Sequence, residues 1–148
     1  MTTTGKTTES GTTGTALTLQ PYIFFYGRCE EALNFYKNIF GGSYDAMRVG
    51  DSPYKGEMGD DNRIMHASFT APGLNFLCSD GQSDRRIDPE EGNVSLAINA
   101  SDPKTGERIC SALADGGTVK MPLAEAFWGG RFANIVDRFG NDWMITTP

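Results

Sequence analysis

Histidine occurs once in this 148-residue chain, at His66, and cysteine three times. A single imidazole excludes any metal site built on two or more histidines. Cys29, Cys78 and Cys110 are odd in number and widely spaced, so they form neither a disulfide framework nor a zinc knuckle. Clustered basic residues are missing too. Lys and Arg number 13 against 19 Asp and Glu, for a formal charge of −6. A binder of phosphate backbones needs grouped cations, so nucleic acid is not an expected partner. No apolar run approaches the ~20 residues of a membrane helix. The Thr- and Gly-rich beginning lacks the apolar core of a secretory signal. These absences point to a reduced, cytoplasmic protein with no membrane segment.

The composition that remains, 39% hydrophobic and 22% charged, is that of an ordinary globular domain. Residues 1–16 hold too few apolar side chains to offset their ordering entropy and are expected to be a disordered tail. Residues 17–148 are expected to form one domain. Module one spans 17–80, a polar connector 81–92, and module two 93–148. Residues 19–26 predict a strand and 28–40 an amphipathic helix, with Ala32, Leu33, Tyr36, Ile39 and Phe40 on one stripe. Gly41-Gly42 stops that helix. A strand over 43–49, with Tyr44 and Ala46 on one face, and a hairpin over 64–79 follow. The second half repeats this order: a strand at 94–98, a helix at 103–114 begun by Pro103, and a Gly116-Gly117 stop. The next strand places Val119, Met121 and Leu123 on one face. A loop carrying Glu125 and Trp128 leads to a closing hairpin over 131–146. Each half therefore reads strand, helix, Gly-Gly, strand, strand, strand, an internal duplication of pattern.

Several segments carry a resemblance. They are Pro21-Tyr-Ile-Phe-Phe25, Glu31-Ala-Leu-Asn-Phe-Tyr-Lys37, Phe40-Gly-Gly42, Met65-His-Ala67 and Leu113-Ala-Asp-Gly-Gly-Thr-Val119. The last are Phe127-Trp-Gly-Gly-Arg-Phe132 and Asp137-Arg-Phe-Gly-Asn-Asp-Trp143. Together they resemble the PhnB-like branch of the vicinal-oxygen-chelate superfamily, which includes glyoxalases, bleomycin-resistance proteins and dioxygenases. The resemblance implies an α+β fold of two βαβββ modules forming a curled mixed sheet around an open cup, completed by a homodimer. It also implies a divalent metal in some relatives, held by His and Glu on the first and last strands of each module. Those positions fall here near Pro21, Asn75 or Leu77, Asn93 and Met144, so the usual metal ligands are absent and the cofactor is unknown. The branch has carried a demethylubiquinone methyltransferase label. This sequence has no glycine-rich strand-to-helix turn for a nucleotide-like cofactor.

The expected function is binding or transformation of a small molecule in an aromatic-lined cup. His66 and Glu125 are the candidate catalytic groups. An imidazole exchanges protons near neutrality, and a carboxylate beside Phe127 and Trp128 is a candidate base once desolvated. The bland alternatives are a hydrogen-bonded structural histidine and a solvated loop carboxylate. Arg131 is a candidate bidentate anchor for a ligand anion; its alternative is an ion pair with Glu125 or Asp137. Trp128, Phe127, Tyr22 and Phe24 are candidate stacking groups, whereas Trp143 reads as core or dimer contact. Asp137 and Gly140 read as turn residues, and Cys29, at a helix start, as a thiol with a possible lowered pKa. Two rivals stand beside this reading. One is a metal-dependent lyase or dioxygenase with non-standard ligands such as His66 and Glu125. The other is a dimer that sequesters a drug or metabolite unchanged, its acidity suited to a cation.

Overall fold

The computed structural model describes residues 16–148. All of the expected tail except Ala16 lies outside the described residues. Module one runs β1 (Tyr22–Phe24), α1 (Cys29–Phe40), β2 (Ser43–Arg48), β3 (Ile64–Ala71) and β4 (Leu74–Ser79). Module two runs β5 (Leu96–Asn99), α2 (Pro103–Ala114), β6 (Thr118–Glu125), β7 (Arg131–Val136) and β8 (Asp142–Thr147). The strand orders β1-β4-β3-β2 and β5-β8-β7-β6 are the same, with β1 parallel to β4 and β5 parallel to β8. The duplicated βαβββ pattern is therefore duplicated topology. The strands form two four-stranded sheets rather than one continuous ladder.

The second glycine of each helix stop has a packing reason. A Cβ on Gly42 would lie 2.2 Å from the Thr70 carbonyl oxygen, and one on Gly117 would lie 2.2 Å from that of Val136. The chain leaving each helix thus passes over the edge of the strand it is about to pair with, where only glycine fits.

Pleating sorts each sheet into two faces. Phe69, Phe76 and Cys78 of sheet one and Ala133, Ile135, Trp143 and Ile145 of sheet two are buried under the helices, against Leu33, Tyr36, Ile109 and Leu113. The modules meet through these helix-covered faces. Tyr36 of α1 lies 5.7 Å, ring to ring, from Trp143 of β8, and Arg108 of α2 donates to the Ile39 carbonyl at 2.9 Å. The opposite faces are left open.

Two local expectations change. Val119 pairs with Ile135, but Met121 pairs with Asn134, because the register shifts between them. That bulge turns Met121 to the outer face, while Leu123 packs on the core. Glu125 is also no loop residue: it closes β6 opposite Arg131.

Candidate functional site

The outer face of sheet one gathers the aromatic residues of the first strand around the single histidine. Residues paired across strands share a face, so His66 stands beside Met47 on β2, and Tyr22 beside Leu77 on β4. The Tyr22 hydroxyl is 3.2 Å from His66 Nδ1, with the two rings 5.7 Å apart. Phe24 lies 5.0 Å from the Tyr22 ring and 6.0 Å from Tyr26. His66 is exposed, and Tyr22 and Phe24 remain 40% and 47% exposed although apolar. The result is an open aromatic strip with one hydrogen-bonded Tyr–His pair. With Nδ1 engaged by Tyr22, the far ring nitrogen of His66 is the one left to meet a ligand.

A second open strip lies on module two. Phe127 meets Trp128 edge-on at 4.7 Å, and Trp128 meets Phe132 at 5.6 Å. Phe127 is 96% exposed and Trp128 59%. Gly129 and Gly130, both with positive φ, allow the tight turn that lifts these rings clear of the sheet. Phe132, Asn134 and Met144 continue the strip along the outer face, in register across β7 and β8.

Arg131 and Glu125 belong elsewhere. Their strand positions alternate with Phe132 and Asn134, so they sit on the helix side of sheet two. Arg131 donates to Glu107 of α2 at 3.2 Å and to the Leu123 carbonyl at 3.3 Å. Its ion-pair partner is thus neither Glu125 nor Asp137. A β-strand with α2 laid on one face offers this arginine an acid from the helix, which sequence spacing does not reveal. The fold brings Tyr22, Phe24 and His66 together and Phe127 and Trp128 together. It does not join His66 to Glu125 or Arg131. Two crevices between the modules, of about 780 and 620 Å³, are lined by none of these seven residues.

The thiol of Cys29 runs opposite to the sequence expectation. It is fully buried 3.5 Å from the Cys78 sulfur, and that contact, followed by burial, raises its pKa far above the ordinary thiol value.

The sequence missed the role of Asp137. It is a turn residue, accepting from the Gly140 amide at 3.0 Å through its carbonyl, but its carboxylate is 3% exposed and points inward. It accepts from the Tyr36 hydroxyl, from Trp143 Nε1 at 2.8 Å, and from the amides of Phe139 and Asn141 at 2.9 and 3.0 Å. The signal for this was available only as a pairing problem: a buried Tyr and a buried Trp both needed an acceptor.

Among the described residues no three His, Cys, Asp or Glu side chains converge as metal ligands. On the outer faces the first and last strands pair Tyr22 with Leu77 and Ala97 with Met144, and the one carboxylate on those strands, Asp142, accepts from Ser95 and Asn134. That set does not fit the oxygen and imidazole donors that a hard divalent ion takes.

Residues 18–146 match the family described as 3-demethylubiquinone-9 3-methyltransferase. The crystal structure of protein PA1353 from Pseudomonas aeruginosa is 34% identical, with a TM-score of 0.76 over 89% of this chain and 98% of that one. A putative 3-demethylubiquinone-9 3-methyltransferase, PhnB protein, from Bacillus cereus is 24% identical, with a TM-score of 0.73 over 89% of this chain and all of the other. The fold likeness reaches a glyoxalase/bleomycin resistance protein/dioxygenase superfamily member from Sphaerobacter thermophilus, at 17% identity and a TM-score of 0.54 over 89% and 98% of the two chains. With this match along nearly its whole length, the chain belongs to the 3-demethylubiquinone-9 3-methyltransferase family, and its doubled βαβββ topology is a fold shared with the glyoxalase/bleomycin resistance protein/dioxygenase structure.

Proposed function

We propose that the protein binds a small molecule on its outer aromatic faces, with His66 and Tyr22 as the polar contacts and Phe24, Phe127 and Trp128 as stacking surfaces. The observation that carries this reading is the Tyr22–His66 pair, 3.2 Å apart and open to solvent among aromatic neighbours. A structural histidine would be expected in the core, where Tyr36 and Trp143 are. Here the polar pair faces outward beside rings that solvation alone would not place there.

Each strip is half of a binding cup, and the second half comes from another copy of the chain. Tyr22, Phe24, Met47, Met121, Phe127, Trp128 and Met144 are all more than a third exposed, and all lie on the outer faces or on the hairpin tip beside them. Apposing a first-module face with a second-module face would bury them and enclose His66. Binding proceeds in this reading without a four-ligand metal, because the outer-face donor set does not suit one. Methyl transfer is not proposed, for want of a glycine-rich turn at the junction of β1 and α1. A cytoplasmic setting fits the three free cysteines.

The test joins sedimentation equilibrium with a thermal-shift screen of aromatic metabolites and drugs. A dimer whose hits lose affinity on His66→Ala and on Tyr22→Phe supports the reading. A monomer with no hits, or hits indifferent to both changes, sinks it. Turnover of a hit would mark an enzyme, and unchanged recovery a sequestering protein.

A further inference from the structure

The larger crevice, of about 780 Å³, lies between the modules and is lined by none of the seven candidate site residues. Its walls are residues 25–28 at the junction of β1 and α1, residues 84–87 of the connector, residues 116–118 after α2 and residues 136–140 between β7 and β8. Four arginines converge there, Arg28, Arg85, Arg86 and Arg138, in a chain whose formal charge is −6. Three lie over aromatic rings: Arg28 over Phe139 at 4.5 Å, Arg85 over Tyr26 at 4.4 Å and Arg138 over Phe35 at 4.4 Å. A guanidinium stacked by its face keeps its in-plane N–H groups for other acceptors.

Those donors divide into two classes. Arg28 gives its own to Glu31 and to the Arg138 carbonyl, and Arg138 gives its own to Asp115. Arg85 and Arg86 donate to no described residue and have no carboxylate partner among the described residues. The two carboxylates of the crevice are engaged already. Asp84 is held by Arg63 at 2.6 Å, and both oxygens of Asp137 are turned into the core. The balance of unengaged charge on the crevice wall is two guanidiniums. The backbone beside them is strained as well: Tyr26, under Arg85, has φ 47°, the one positive value for a non-glycine among the described residues. A left-handed tyrosine is strained and persists where surroundings impose it, often at ligand clamps.

We propose that this crevice is a second binding site, taking a small molecule that bears a compact dianion, either a phosphate monoester or a vicinal dicarboxylate, held bidentately by Arg85 and Arg86. Oxyanions of this kind match the planar fork of arginine, and two charges meet two unengaged cations. Bound there, the anion ties the connector to both modules, since residues from each line the walls.

The test uses the full chain and three probes, inorganic phosphate, phenyl phosphate and succinate, by titration calorimetry and thermal melting. The wild type is expected to bind at least one at millimolar concentration or better and to melt higher with it. Arg85→Gln with Arg86→Gln is expected to lower affinity about tenfold or more and to abolish the rise in melting temperature. Arg86→Gln alone, at a residue that stacks on no ring among the described residues, leaves the Arg85–Tyr26 stack in place and is expected to lose part of the affinity. Lys55→Gln with Lys104→Gln removes the same charge elsewhere and is expected to change nothing. Preference for phenyl phosphate over succinate identifies a phosphate ester, and the reverse a dicarboxylate. No binding of any probe overturns the proposal, as does an equal loss in the lysine variant.

Discussion

The Tyr36 hydroxyl, on the helix of module one, donates to the Asp137 carboxylate, on the last turn of module two. This bond is one of those that join two halves sharing topology but little sequence. Tyr36 is fully buried, and Trp143 and Asn141 complete the cluster from β8 and its preceding turn. A buried carboxylate is stable only when its oxygens are all engaged, and here four donors engage them.

Replacing Asp137 with Ala leaves the Tyr36, Trp143 and two backbone donors without an acceptor in the core. The expected loss is about 3 kcal/mol or more of unfolding free energy, read as a lower urea midpoint. Asp137→Asn, which keeps an acceptor oxygen, should lose less. Equal midpoints for wild type and Asp137→Ala would remove the cluster from any account of stability.

Burial, followed by the negative charge of Asp137, raises the Tyr36 phenol well above its ordinary range. The phenol therefore ionises first in the unfolded chain, near pH ~10, and only at higher pH in the folded one. Its contribution is complete below that pH and is lost as the pH rises further, by about 1.4 kcal/mol per unit. Stability of the wild type should fall more steeply above that point than that of Tyr36→Phe, as denaturant titrations across alkaline pH would show.

Gly117→Ala should destabilise by about 2 kcal/mol, because its Cβ would overlap the Val136 carbonyl oxygen, which is backbone and cannot rotate away. Gly42→Ala should cost at least as much, since a positive φ adds to the same kind of overlap with the Thr70 carbonyl oxygen. Gly41→Ala meets no neighbour and pays only for its positive φ, so it should be the milder of the three by thermal melting.

Thiol labelling should follow burial. Cys29 and Cys78 are inaccessible, and Cys29 is held protonated by its contact with Cys78 and by burial, whereas Cys110 is half-buried. In native protein a disulfide reagent is expected to react with Cys110 first, and with the other two only at the rate of unfolding. Rapid native labelling of Cys29 would contradict its placement.

Phe127→Ala and Trp128→Ala should leave unfolding free energy within about 0.5 kcal/mol, since neither ring is in the core. Under the proposed function both should weaken self-association and ligand binding together. A large stability loss with unchanged association would reverse that assignment.

Much of the fold was legible because it rests on local chemistry. Period-two alternation marked the hairpin over 64–79, and Pro103 and Gly116-Gly117 marked the start and stop of α2, whose helix is Pro103–Ala114. The paired glycines announced the duplication, since the second of each pair sits where a strand edge leaves no room for a side chain. His66 was marked by being alone.

Tertiary structure decided what local pattern does not encode. Which acid Arg131 meets depended on α2 lying across β7, and the face shown by Met121 depended on a bulge in β6. Asp137 looked like any turn aspartate until Tyr36, 101 positions away, came to rest against it. Arg85 and Arg86 looked like charges on a solvated connector until that connector closed one wall of a crevice. Sequence alone determined the elements and their repetition, because short-range sterics and burial periodicity are written residue by residue. The partners of charged groups were settled by long-range packing, because a guanidinium or carboxylate pairs with whatever the fold brings within reach.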